Sequence, residues 1–165
     1  MSASARHMRA ISPEGQPETV AYSVLLAQSF TRWLRRPLLP AAADAAPEVL
    51  ARLIYDAPFA LVSHGTQQDP VFRYANRRAQ ALFGYDWDIF VTLPSRLSAE
   101  PAAQEERRAL LDTALRAGYA EHYRGIRIAK DGRRFEIRDA VLWNVTDAHG
   151  AMAGQAARFD QWNFL

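Results

Sequence analysis

Residues Pro70–Phe90 read PVFRYANRRAQALFGYDWDIF, and the fold turns on how that stretch is parsed. Val71 to Ala75 is a short apolar-aromatic run of the strand type, introduced by Asp69-Pro70. Asn76 is a helix-capping residue, Ala79, Leu82 and Phe83 follow at helical spacing, and Gly84 supplies a left-handed stop. Asp86 then caps a second short helix that presents Trp87, Phe90 and Val91. The stretch therefore predicts a strand, a one-face helix ended by an aromatic-glycine pair, and another helix.

Toward the N-terminus, FALVSH (residues 59–64) is a compact apolar run closed by Gly65, which pairs with the Val71–Ala75 run as a hairpin. Before it, Pro17 opens a helix whose Tyr22, Leu26, Phe30 and Trp33 share a face until Pro37, and Val49, Leu50, Leu53 and Ile54 mark a second helix ending before Pro58. Toward the C-terminus, LPSRLSAEP is irregular, and a longer helix follows, with Pro101 near its start and Leu110, Leu111, Ala114 and Leu115 on its inner face. The period then becomes two. Residues 122–128 read as a strand, Lys130–Arg133 as a hairpin turn, residues 134–145 as a long strand and MAGQAARF as the last. On the long strand Phe135, Ile137, Asp139, Val141, Trp143 and Val145 fall on one face. The expectation is an α+β chain: a five-stranded antiparallel sheet with helices on one face and an extra N-terminal helix. It divides into a flexible arm (1–16), N-terminal helices (17–57) and a core (58–165).

Composition bounds the function. At 165 residues, 49% hydrophobic and 23% charged, the chain has the make-up of one globular domain, which argues against disorder. It contains no Cys, which removes disulfides, thiolate metal sites and cysteinyl photoadducts. Five Arg (Arg6, Arg9, Arg32, Arg35, Arg36) stand against Glu14 and Glu18 in the first 40 residues, leaving 15 basic and 16 acidic groups in the other 125. That is no phosphate-binding stripe, so nucleic acid is not an expected partner. No window reaches the ~18 apolar residues of a membrane span, and a cytoplasmic protein is expected.

The quoted segment resembles the PAS core. The fuller combination of APFALVSHG, the segment from Asp69 through PSRLSAEP, GIRIAKDGRRFEIRDAVLWNV and GQAARF resembles the MEKHLA domain, a PAS-like domain found alone in bacterial proteins and at the C-terminus of plant class III homeodomain-leucine zipper proteins. The likeness runs over about residues 20 to 160. It implies a PAS-like fold; the six letters that name the family are missing here, and it brings no cofactor.

Seven residues are candidate ligand contacts. His64 ends the first strand at the sheet rim, either as an anchor for a ligand or haem or as a backbone-bonded strand-end histidine. Asp139 sits among apolar residues and needs a partner, a bulge that turns it outward, or a ligand. Arg96, between Ser95 and Ser98, is an anion clamp or a structural ion-pair member beside a helix cap. Gln155, with small neighbours Gly154, Ala156 and Ala157, either reads a ligand's polar edge or packs closely. Phe72, Tyr74 and Trp143 are core aromatics or an apolar lining. His7, His64, His122 and His149 show no metal-ligand spacing, so no metal is expected. The expected function is a small sensory or regulatory module holding a small molecule or a partner protein between sheet and helices, and homodimeric through the N-terminal helix. The alternatives are an enzyme resembling the NTF2 or ketosteroid-isomerase group with Asp139 as general base, for which no catalytic motif is present, and a pure dimerisation module.

Overall fold

Asn76 is fully buried and uses its whole amide. Its Oδ1 accepts from the backbone N–H of Ala79 at 3.1 Å, which caps the helix as expected, and from that of Leu61 at 3.0 Å. Its Nδ2 donates to the carbonyls of Phe59 and Ile54 at 2.8 and 3.2 Å. One side chain thus ties together three elements of the computed structural model, which describes residues 12–100 and 104–165.

The helices are α1 (Pro17–Leu34), α2 (Pro47–Tyr55), α3 (Arg77–Phe83), α4 (Trp87–Phe90) and α5 (Gln104–Ala117). The strands are β1 (Ala60–His64), β2 (Phe72–Ala75), β3 (Tyr119–Ile128), β4 (Arg134–Thr146), β5 (Met152–Phe159) and β6 (Gln161–Phe164). They form one antiparallel sheet in the order β2-β1-β5-β4-β3, with β6 also on β4. β6 is a strand beyond the five expected. It continues β5 past Asp160, pairing with β4 from Phe135 to Arg138 while β5 takes Val141 to Thr146. The expected arm lies largely outside the described residues, as does Pro101, and the arm's end, Pro13–Gly15, is a 3-10 turn leading into α1. On α5, Leu111 packs on the core and Leu110 is exposed.

Helices cover both faces of the sheet, where one was expected. The α3–α5 side buries Val62, Phe72, Phe83, Phe90, Phe135 and Phe159, while α1 and α2 bury Leu61, Tyr74, Val141, Trp143 and Val145 on the other. The face of α1 predicted from its spacing lies on the chain's own sheet. Leu26 and Phe30 are fully buried, Phe30 meets Trp143 edge-on at 5.0 Å, and Trp143 Nε1 donates to the Leu26 carbonyl. Ser29 exchanges hydrogen bonds with the Thr146 backbone, and the Tyr22 hydroxyl lies 2.6 Å from Ser63 Oγ. That face is taken up by the chain's own sheet.

β4 serves both layers because its pleat changes phase. Gly125 pairs with Ile137, Tyr123 with Ala140 and Ala120 with Leu142. Arg138 and Asp139 therefore face the single residue Arg124, and Glu121 with His122 face the single residue Val141. These are two β-bulges, one per strand. His122 (φ 58°) and Asp139 (φ 53°) are left-handed there, and their side chains meet in solvent with His122 Nδ1 2.5 Å from Asp139 Oδ1. Phe135, Ile137, Ala140 and Leu142 then face α3–α5, and Val141, Trp143 and Val145 face α1. The single-face reading of this strand is corrected accordingly.

Two outcomes test this packing. Leu26→Ala should cost about 2–5 kcal/mol in urea unfolding, the range for emptying a closed core site. A loss below about 1 kcal/mol would mean that α1 is not docked as described. Asp139→Val should destabilise by about 1–3 kcal/mol because a β-branched residue resists a positive φ, whereas Asp139→Gly should not. Equal stabilities for the two variants would refute the bulge.

Candidate functional site

β1 turns Ala60, Val62 and His64 toward α3–α5, and β5 turns Gln155, Ala157 and Phe159 the same way. Between this surface, the 3-10 turn Ser95–Ser98 and α5 lies a cavity of about 40 Å³. By the measure of roughly 10–15 Å³ per water position it has room for a few atoms. Its walls are chiefly apolar, from Phe72, Phe83, Ile137, Leu142 and Phe159. An outer groove of about 490 Å³ adjoins it, and His64, Arg107, Leu111 and Gln155 border both.

The charge in the cavity wall is one-sided. Among its lining residues are two guanidinium groups, Arg107 from α5 and Arg127 from β3, and no carboxylate. Arg127 is only 8% exposed, and its partners are neutral: Nη2 donates to the Tyr123 hydroxyl at 2.7 Å and Nη1 to the Ile126 carbonyl at 2.8 Å. Tyr123, Gly125 and Arg127 alternate inward along β3. A Cβ on Gly125 would fall on the Tyr123 hydroxyl and against the Arg127 guanidinium, so the glycine makes the room in which that arginine lies. Arg107 has a buried Nε with no partner. Burial and the neighbouring Arg127 pull its guanidinium down to about 10. Such a shift means that the charged form is short of solvent and of a counter-ion.

His64 Nδ1 lies 3.0 Å from the Gly65 carbonyl, while its buried Nε2 lacks a partner. Burial holds the imidazole below its ordinary range, with Arg107 acting in the same direction and the contacts to Gly65 and Gln155 opposing. Gln155 Nε2 donates to the Leu111 carbonyl at 3.2 Å, linking β5 to α5.

Of the seven expected contacts, His64, Phe72 and Gln155 line the cavity. Arg96 lies on the outer groove, where its Nε donates to Asp69 at 3.2 Å. Ser98 bonds back to the Ser95 carbonyl within its turn. Tyr74 and Trp143 are on the α1 face: β2 carries Arg73 as an extra residue between the Ser63–Tyr74 and His64–Phe72 pairs, which sends Phe72 and Tyr74 to opposite sides. Asp139 stands outside the cavity, its side chain 55% exposed beside His122. Arg107, Tyr123 and Arg127 were not anticipated. The one available signal was the alternation Tyr123-Gly125-Arg127, a gap between two inward polar groups. Among the described residues no three His, Asp or Glu side chains are grouped to hold a metal, and no helix is long and apolar enough to cross a membrane.

Comparison with known proteins agrees with this architecture. The MEKHLA domain family model matches residues 20–164. The PAS domain of a protein from Colwellia psychrerythraea superposes with a TM-score of 0.58 at 17% identity, over 66% of this chain and 89% of that one. An RNA-binding Light-Oxygen-Voltage receptor gives 0.59 at 20%, over 73% of this chain and 33% of that chain. A Light-Oxygen-Voltage domain described with a flavin analogue gives 0.52 at 17%, over 71% and 84%. At these identities the likeness shows the PAS-type fold, with the N-terminal helices in addition. No curated protein matches the chain in sequence.

The lowered His64 pKa has a sign that can be measured. In the unfolded chain the ring takes up a proton near pH 6.5, but in the folded chain it stays neutral to lower pH, so its contribution is complete above about 6.5 and is lost on acidification below it. Between about pH 7.5 and 5.5 the Tm of the native chain should fall more steeply than that of His64→Gln. Parallel curves would show a solvated ring.

Proposed function

The chain belongs to the MEKHLA domain family, and we propose that it acts as a small sensory module that takes up a small molecule in the cavity between the sheet and α3–α5 and passes its presence to a partner protein. The observation that carries this reading is the cavity itself: a small, mostly apolar space with a few convergent polar groups, bordered by His64, Arg107 and Gln155 where it adjoins a larger groove. The PAS-type fold adds support by analogy. The enzyme alternative needs Asp139 as a base inside an apolar cavity, and Asp139 is at an exposed bulge.

Native mass spectrometry of protein purified without added ligand, combined with a thermal-shift screen of metabolites, tests the proposal. A bound or stabilising small molecule is expected, with its effect lost in Gln155→Leu and kept in Arg116→Ala, a change on the exposed side of α5. No bound mass and no stabilising compound would overturn the sensory reading. Equal losses in both variants would place the ligand elsewhere.

A further inference from the structure

Arg127, which is buried, and Arg107, which is half-buried with its Nε out of solvent, are unexplained by folding. Every ion pair among the described residues lies elsewhere, and the stretches 1–11 and 101–103 contain no Asp or Glu. Neutral hydrogen bonds satisfy the geometry of Arg127 but leave its charge uncompensated. Taking a charge out of water costs several kcal/mol unless an opposite charge meets it. Here two like charges face one cavity, and Arg127 disfavours the charged form of Arg107.

We infer that the cavity is an anion site whose ligand is a small organic carboxylate, its carboxylate received by Arg107 and Arg127 and its carbon body resting on Phe72, Leu142 and Phe159. This rests on the sensory reading and names the ligand class. Guanidinium is planar and matches a carboxylate fork by fork. Arg107 Nε is buried without a partner, so a donor is waiting. The apolar walls favour an organic acid over inorganic phosphate, whose further charged oxygens would find no donors on them. Volume sets the size, since about 40 Å³ admits a carboxylate with a few carbons and not a ring system. The outer groove is a poorer anion site, because Asp69, Glu105 and Asp112 are mixed with its arginines.

The test is a thermal-shift and calorimetric series on the full chain at constant ionic strength with sodium acetate, propionate and butyrate, their neutral amides, and inorganic phosphate. The carboxylates should bind saturably and raise Tm, and the amides and phosphate should not. Arg107→Met and Arg127→Met should each weaken binding about tenfold or more, as expected for loss of a charged hydrogen bond. Both should fold, because replacing an uncompensated buried charge with an apolar side chain of similar length is tolerated, and circular dichroism checks this. Arg116→Ala should bind as the native chain does. Amides as effective as carboxylates, tighter binding of phosphate, carboxylates without effect, or a response unchanged in both methionine variants would each overturn the assignment. A neutral molecule bound to purified protein and lost in Gln155→Leu would leave the sensory reading standing while the carboxylate assignment fails.

Discussion

The paired bulges at Glu121-His122 and Arg138-Asp139 are the constraint on which both layers depend. A strand of regular pleat can feed one face with every second residue. β4 is 13 residues long and has to supply the α3–α5 core with Phe135 and Ile137 and the α1 core with Trp143 and Val145. An unbroken alternation would send all four to one side and point the Asp139 carboxylate in with them. The extra residue resets the phase, and the second bulge on β3 lets the ladder close again. Two non-glycine residues held at positive φ cost on the order of 1–3 kcal/mol each. Burial of Trp143, Val141 and Val145 under α1 offsets that, at about 1.5–3 kcal/mol for each large side chain.

β2 uses the same device on a smaller scale. Arg73 is its extra residue, Phe72 stacks edge-on against Phe90 in one layer, and Tyr74 meets Trp87 on the other side. Gly154 shows how tightly the α1 layer is set on the sheet, since a Cβ there would fall on the His64 carbonyl oxygen and the Tyr22 hydroxyl. The end of β1 that carries His64 to the cavity is therefore held from behind by α1.

What was legible in the sequence follows from the range of the forces involved. Asn76, Gly84, Pro17 and Gly132 act within a few residues, so the caps, stops and the β3–β4 hairpin could be placed from local chemistry. The bulges could not, because Arg73, His122 and Asp139 are ordinary residues whose conformations are fixed by partner strands distant in sequence. Asp139 did give a clue: a carboxylate amid an apolar face demanded an exit, and a bulge was one of its three readings. β6 escaped because QWNF is too short to show a period and pairs only with the near half of β4. His64, Phe72 and Gln155 were legible from strand ends and small neighbours. Arg107 sits among Glu105, Glu106 and Arg108, and Arg127 follows Arg124 by three residues in a strand of mixed polarity, so both read as solvated charge in the sequence.

The placement of these two arginines separates what the fold requires from what the site requires. Several buried polar groups with a structural task have matched partners: Asn76 uses both amide atoms, Ser29 both donates and accepts, and Ser63 joins Tyr22 to the Gln155 carbonyl. A protein able to satisfy those groups in its core was under no steric obligation to line one cavity with two guanidinium groups and no carboxylate. An apolar pair of similar volume would pack the same space at lower electrostatic cost. The lining of the cavity therefore sacrifices stability in the empty state, and an anion in the cavity restores it. Because Arg107 is on α5 and Arg127 on β3, the same anion joins a helix to the sheet where Gln155 and the Leu111 carbonyl already make one contact. Ligand occupancy is thereby coupled to how firmly α5 is held.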